Sequence, residues 1–162
     1  MTTTTLAPLV VGPTEDRAPF ALEIGGHRII GKILSDDTAG QFSAGIVQAP
    51  PLTGPPLHQH TNEDEWFYIL KGEFWLQIGD EFIKAGPGAS VFAPRDVPHT
   101  WQNFGPGTAE FLGVVTPGGL ENFFLDAIKM GGSMEAVGKS AERHGVKLLG
   151  PPMMEKPQET GK

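Results

Sequence analysis

Two histidines one residue apart, His58 and His60, open the stretch 57–72 (LHQHTNEDEWFYILKG), and the carboxylates Glu63, Asp64 and Glu65 follow them. Imidazoles and a carboxylate gathered in this way suit a divalent first-row metal ion. Residues two apart point to the same face of a β-strand, whereas on a helix they diverge by roughly 200°. The spacing therefore predicts a strand through His58 and His60. Glu65 lies at an odd offset from His60 and would face the other way if that strand ran straight on. Thr61 and Asn62 are turn formers, and a bend there resets the parity so that Glu65, or Glu63 on the same parity, meets the histidines. A third imidazole, His99, stands in the stretch 88–103 (GASVFAPRDVPHTWQN), at the start of a short strand that Pro98 leads into. One of the two glutamates, Glu65 or Glu63, would complete the ligand set. Trp101 and Asn103 share the parity of His99, and Phe67 and Ile69 share that of Glu65. Together with Phe92 they are the expected substrate-pocket residues, core packing being the equal alternative for Trp101. His27, beside a Gly-Gly pair, and His144, near a helix C-terminus, are expected at the surface.

The elements that must hold these residues are short strands. The 22 glycines and 15 prolines are scattered as punctuation and form no low-complexity tract. Between them, strands are predicted near 20–24, 28–34, 42–48, 66–70, 74–78, 81–85, 90–93, 100–103 and 108–115, with Gly25-Gly26 as the first hairpin turn. The run 66–70 is aromatic and aliphatic throughout, and reads as a strand buried on both sides. Pro50, Pro51, Pro55 and Pro56 place a loop before the histidines. So many strands at such even spacing argue for an all-β antiparallel sandwich or barrel, the jelly roll among them. After Gly119 the period changes. Leu120, Phe123, Phe124, Ala127 and Ile128 form the stripe of an amphipathic helix ended by Gly131-Gly132. Ser133 can cap a second helix, 134–144, with Gly145 as its stop. The helices are expected to pack outside the β-domain. The division reads as an N-terminal arm at 1–17, a β-domain at 18–117, a helical extension at 118–149 and a loose tail at 150–162.

His58, His60, Glu65 and Gly72, in the pattern His-x-His, four residues, Glu, six residues, Gly, resemble the first motif of the cupins. Gly88, Pro94, His99 and Asn103 resemble the second. Two positions depart: Leu52 stands where the family has a glycine six residues before the first histidine, with Gly54 displaced by two, and Asp96 stands where it has a glycine two after the proline. Neither is a ligand position, so the departures touch loop geometry and not metal binding. The resemblance implies a double-stranded β-helix, here as a single cupin domain because His-x-His occurs once. It also implies a metal held by His58, His60, Glu65 and His99, so that Glu63 and Asp64 are expected as solvated loop acids. The run Thr116-Pro117-Gly118-Gly119 before an aromatic helix, and the closing Gly150-Pro151-Pro152, are similar to small bacterial quercetinase-like cupins. Those are dioxygenases that open flavonol-type rings.

Composition bounds the alternatives. At 162 residues the chain is one domain's worth, with no cysteine and hence neither disulfides nor thiolate chemistry. A net charge of −7 without a basic run argues against a nucleic-acid partner. The N-terminus reads as neither signal peptide nor membrane anchor, and no segment approaches the roughly 20 apolar residues of a spanning helix, so a cytoplasmic protein is expected. The expected cofactor is one divalent transition metal ion per chain, among Fe, Mn, Ni, Co, Cu and Zn. Three neutral imidazoles and one carboxylate leave it a formal charge near +1, suited to an enolate, phenolate or carboxylate oxygen of a small-molecule substrate. A metal-dependent dioxygenase on a small aromatic or enolic substrate is the leading expectation, with Glu65 as a base if its metal bond is loose. The alternatives are a metal-dependent isomerase or decarboxylase, and a non-catalytic small-molecule-binding cupin. A homodimer is expected from the resemblance.

Overall fold

The computed structural model describes residues 6–17 and 26–158, so the strand and hairpin turn expected at 20–26 lie for the most part outside the described residues. The strands in chain order are β1 (Arg28–Ile33), β2 (Ser43–Ala49), β3 (Leu57–His60), β4 (Asp64–Lys71), β5 (Phe74–Ile78), β6 (Glu81–Ala85), β7 (Ser90–Ala93), β8 (His99–Gln102) and β9 (Ala109–Thr116). Two helices, α1 (Glu121–Lys129) and α2 (Met134–Arg143), and a last strand, β10 (Val146–Gly150), complete the order. Among the described residues the strands form two antiparallel five-stranded sheets, ordered β1-β2-β9-β4-β7 and β10-β3-β8-β5-β6. Sequence neighbours such as β3 and β4 therefore lie in opposite sheets. The architecture is all-β with C-terminal helices, as the strand and helix patterns predict, and is a double-stranded β-helix, as the resemblance implies.

The core lies between the sheets. Phe67 of β4, Phe74 of β5, Trp101 of β8 and Phe111 of β9 are buried there. Phe111 meets each of the other three edge-to-face, with ring centroids 5.2–5.3 Å apart. Such pairs add roughly 0.5–1.5 kcal/mol each beyond their buried area. β4 corrects the expectation of a strand buried on both sides. Phe67 and Ile69 are 1% exposed, but Trp66, Tyr68 and Leu70, on the other face, are between 36% and 43% exposed. The sheet has one packed face and one solvated face, the usual state of an antiparallel sheet, so aromatic residues on the outer side do not imply a second layer.

A second apolar cluster joins the helices to the barrel: Leu120, Phe123 and Ala127 meet Val137 and Ala141 of α2, Val115 of β9 and Val146 of β10. Ser133 caps α2 as expected, its side chain accepting from the Ala136 N–H at 3.1 Å. Ser140, fully buried, donates to the Phe123 carbonyl at 2.7 Å and locks the helices together. β10 was not anticipated. Only Val146 of its five residues is buried, so it carries no alternating pattern, and its place comes from pairing with β3 at the sheet edge. Beyond it, 151–158 has no regular structure; the Pro151 carbonyl accepts from Leu57 N–H, and the Lys156 ammonium lies 5.8 Å from the Trp75 ring.

Candidate metal centre

β3 pairs with β8 so that His58 sits directly opposite His99, with ring centroids 4.5 Å apart. His60 projects from the same face of β3 as His58, and the chain then crosses to the other sheet. The crossing is the Thr61-Asn62 bend. Thr61 donates to the Gly145 carbonyl through both its N–H (2.8 Å) and its hydroxyl (3.0 Å), and the Asn62 amide donates to the His144 carbonyl at 3.2 Å. β4 thus starts with Glu65 turned inward, and one Glu65 oxygen lies 3.2 Å from His99 Nε2 and 3.5 Å from His60 Nε2. One donor atom from each of His58, His60, Glu65 and His99 falls within 4.8 Å of all the others. A brace ties the two motifs together: Asp64 takes both Arg95 Nε (3.1 Å) and a terminal guanidinium nitrogen (2.9 Å), and the Asp96 N–H donates to the His60 carbonyl at 2.7 Å. The hydrogen bonds from Arg95 lower the Asp64 pKa to about 2.

The hydrogen bonds of the rings show that the quartet fits a metal ion. His58 Nδ1 is 2.8 Å from the Pro56 carbonyl and His99 Nδ1 is 2.9 Å from the Val97 carbonyl, so both Nδ1 atoms carry the proton and donate it. Their Nε2 lone pairs are then left for a ligand. With a neutral ring protonated at Nδ1, His99 Nε2 would face the Glu65 carboxylate at 3.2 Å as a second acceptor, an arrangement that a cation between them would satisfy. Neither ring nitrogen of His60, a residue 3% exposed, has a hydrogen-bond partner among the described residues. A divalent ion would give His60 Nε2, on the Glu65 side of the ring, its missing partner.

Without an ion, the charges sort themselves. Burial, then the neighbouring histidines, lower the His58 pKa to about 3, so it stays neutral. Burial also opposes charge on His60, but the Glu63 and Glu65 carboxylates outweigh it and raise that pKa to about 9. Burial would raise Glu65; His60 and His99 overcome it and hold the carboxyl well below its usual range. Glu63 corrects the expectation of a solvated loop acid. It is 7% exposed, with a carboxylate oxygen 3.6 Å from His60 Nδ1, behind the ring and outside the quartet.

An apolar cavity opens from the quartet. Ile29, Val47 and Phe111 of the barrel line it, together with Phe123, Phe124 and Val137 of the helices. The helices lie outside the barrel, as expected, and also wall the site. Of the five residues expected in the pocket, Trp101 lines this cavity while also packing in the core. Phe67 and Ile69 do face inward with Glu65, but they fill the core and are not among the wall residues. Phe92 is 56% exposed on the outer face, paired across strands with Trp66. Asn103 is fully buried away from the cavity, its amide donating to the carbonyls of Ala49 and Gly107 while its oxygen accepts from the Gly105 N–H. The helix residues were missed as walls because a stripe facing the core and a stripe facing a cavity have the same period. His27, expected at the surface, is 5% exposed and lines the cavity beside Trp101. His144 is half-buried at the end of α2, its Nε2 2.8 Å from an Asp126 carboxylate oxygen. A second hollow also reaches Glu65; its other carboxylate, Glu121, already accepts from the N–H groups of Ser35 and Gly119.

Residues 45–115 match the family model described as Cupin domain. Among solved structures, a predicted oxalate decarboxylase from Thermotoga maritima shares 22% identity over 67% of this chain and 99% of its own, with a TM-score of 0.60. The polyketide cyclase RemF from Streptomyces resistomycificus shares 28% identity over 68% of this chain and 80% of its own, with a TM-score of 0.56. The Cnp3 cupin domain of Schizosaccharomyces pombe shares 16% identity over 59% of this chain and 68% of its own, with a TM-score of 0.50. No curated protein matches the chain. Matched segment and solved neighbours together support a cupin domain, and its His/Glu group could hold a metal ion as in metal cupins. Among the described residues no helix is long and apolar enough to cross a membrane.

Proposed function

We propose that this protein is a metal-dependent enzyme acting on an enolic or phenolic aromatic small molecule, and that the reaction is a dioxygenation of the quercetinase-like kind. The observation that carries the reading is an apolar, partly aromatic cavity that ends on His58, His60 and Glu65 of the quartet, in which backbone carbonyls hold the Nδ1 atoms of His58 and His99 and leave their Nε2 atoms free. A divalent ion bound there would supply Lewis acidity to a substrate oxygen anion and, if redox-active, a means of engaging dioxygen. Dioxygenation consumes substrate and O2 alone, so no reductant is needed. The chain's own residues do the rest. Apolar walls exclude water and strengthen the attraction between the site and an anionic oxygen. Glu65 is ionised and stands at the quartet's edge toward the cavity, where it can take the proton that an enol or phenol gives up on binding. His58 and His99, tethered through Nδ1, keep their orientation meanwhile.

A second reading is favoured by the 28% identity to a polyketide cyclase: the same cavity and base would serve a ring closure, isomerisation or decarboxylation by acid–base steps without oxygen. One experiment separates them. Protein loaded with each candidate metal is mixed with flavonols and 1,3-diketones under strict anaerobiosis. The dioxygenase reading expects an absorption shift that holds steady until air is admitted, then product with matching oxygen consumption. Equally fast turnover without oxygen overturns it in favour of the second reading. No shift with any enolic compound leaves a binding role.

A further inference from the structure

Among the described residues, the walls of the cavity carry one ionisable side chain besides the metal-site residues, and it is His27. The residue is 5% exposed, and its Nδ1 is enclosed with no hydrogen-bond partner among the described residues. Its ring stands edge-on to Trp101, with centroids 4.9 Å apart at 70°. A buried polar group without a partner is costly to a fold and calls for an explanation, most simply that a ligand supplies the partner. Nothing in the quartet needs it: His27 is outside the group of four whose donor atoms converge.

We infer that His27 is a second polar contact point in the substrate site, orienting an aromatic or enolic ligand through a hydroxyl or carbonyl remote from the oxygen anion taken at the metal group. This rests on the cavity being the substrate site, as proposed above. Burial lowers the His27 pKa to about 4, so at neutral pH the ring offers one donor and one acceptor and can meet either oxygen function. The substrate class narrows accordingly. It has a flat apolar body that fits between Trp101 and the helix residues Phe123 and Phe124, with oxygen functions at two separated positions.

The test compares 3-hydroxyflavone, which bears only the enolic pair, with quercetin, which adds ring hydroxyls, both titrated anaerobically into metal-loaded protein. His27→Phe should weaken quercetin at least tenfold and 3-hydroxyflavone less than threefold, with bound metal per chain unchanged; His27→Gln, which keeps a donor and an acceptor, should recover part of the loss. Equal losses for both probes, or none, overturn the role of His27 while leaving the substrate reading intact. Absence of binding by both probes to the unaltered protein overturns the substrate reading and this role with it. Should His27→Phe fail to fold, the imidazole nitrogen resonances of the unaltered protein decide, with diamagnetic cadmium loaded: those of His27 should shift with quercetin and stay still with 3-hydroxyflavone. A shift with both, or with neither, sinks the inference.

Discussion

Leu52 and Asp96, the two departures from the cupin motifs, hold φ of 61° and 62°, the left-handed conformation that glycine adopts freely. The Leu52 side chain is 72% exposed and so gains little packing in return. A non-glycine residue in this region costs roughly 1–2 kcal/mol, partly offset on replacement by the greater freedom of glycine when unfolded. Leu52→Gly should therefore stabilise by about 1 kcal/mol, a rise of roughly 2–4 °C in Tm for a chain of this size, with metal content unchanged. Asp tolerates the conformation better, so Asp96→Gly should gain less. At the site, His58→Ala or His99→Ala removes one of four donors and should bring bound metal well below one per chain by elemental analysis; stoichiometric metal in both variants would refute the quartet. Glu63→Gln should leave stoichiometry at saturation unchanged, since Glu63 is no ligand. It should still weaken affinity roughly tenfold in a chelator competition, because the buried carboxylate orients the His60 ring. The pH dependence follows from His60. With its pKa raised to about 9 in the metal-free protein, His60 is protonated at pH 7, and binding must expel that proton. Apparent metal affinity should rise about tenfold per pH unit from neutrality and level off near pH 9; His58, at about 3, does not compete in this range. A flat profile between pH 7 and 9 would contradict the assignment.

At the scale of elements, the site depends on β10, which holds none of its ligands. β10 pairs with β3 and puts Val146 opposite His60, while the Gly145 carbonyl just before it receives both Thr61 donors. Gly145 has φ of 71°, and a Cβ there would stand 2.4 Å from the Thr61 hydroxyl oxygen. Gly145→Ala should therefore push the Thr61-Asn62 bend away, turn Glu65 out of register and lower metal affinity as well as stability. Wild-type affinity in a folded Gly145→Ala variant would show that the bend is fixed by other contacts. The helices act on the cavity in a separable way. Ser133→Ala removes the cap of α2 and should cost about 1 kcal/mol. Metal binding should survive this change, because no ligand sits on the helices.

For the whole molecule, the two sheets bring the ligands together and the metal in turn holds the sheets. His58, His60 and His99 belong to one sheet and Glu65 to the other, so an ion shared among them crosslinks the barrel. Metal at a hundred times its Kd should add about 2.7 kcal/mol to the folded state, a rise of several degrees in Tm that His99→Ala abolishes.

How much of this was legible in advance depended on range. The positions of most strands along the chain, the helix stripes, the Ser133 cap and the three histidines are local matters of period, turn chemistry and spacing, and the sequence by itself offered them; parity left Glu65 and Glu63 equivalent, and the motif resemblance chose Glu65. The strand through His58 and His60 and the bend at Thr61-Asn62 follow from parity alone. What only the tertiary structure decided is which buried face meets which. Phe67, Phe92 and Asn103 could not be told apart from Trp101 as wall residues, because parity assigns a side of a sheet and not a depth within the barrel. Glu63 and His27 looked like solvated residues because turns and glycine pairs usually lie at the surface. β10 has no pattern of its own, and Gly145 just before it lies 84 residues along the chain from Thr61, in the bend that it secures. Burial of these groups is set by chain segments distant in sequence, and no local spacing encodes that.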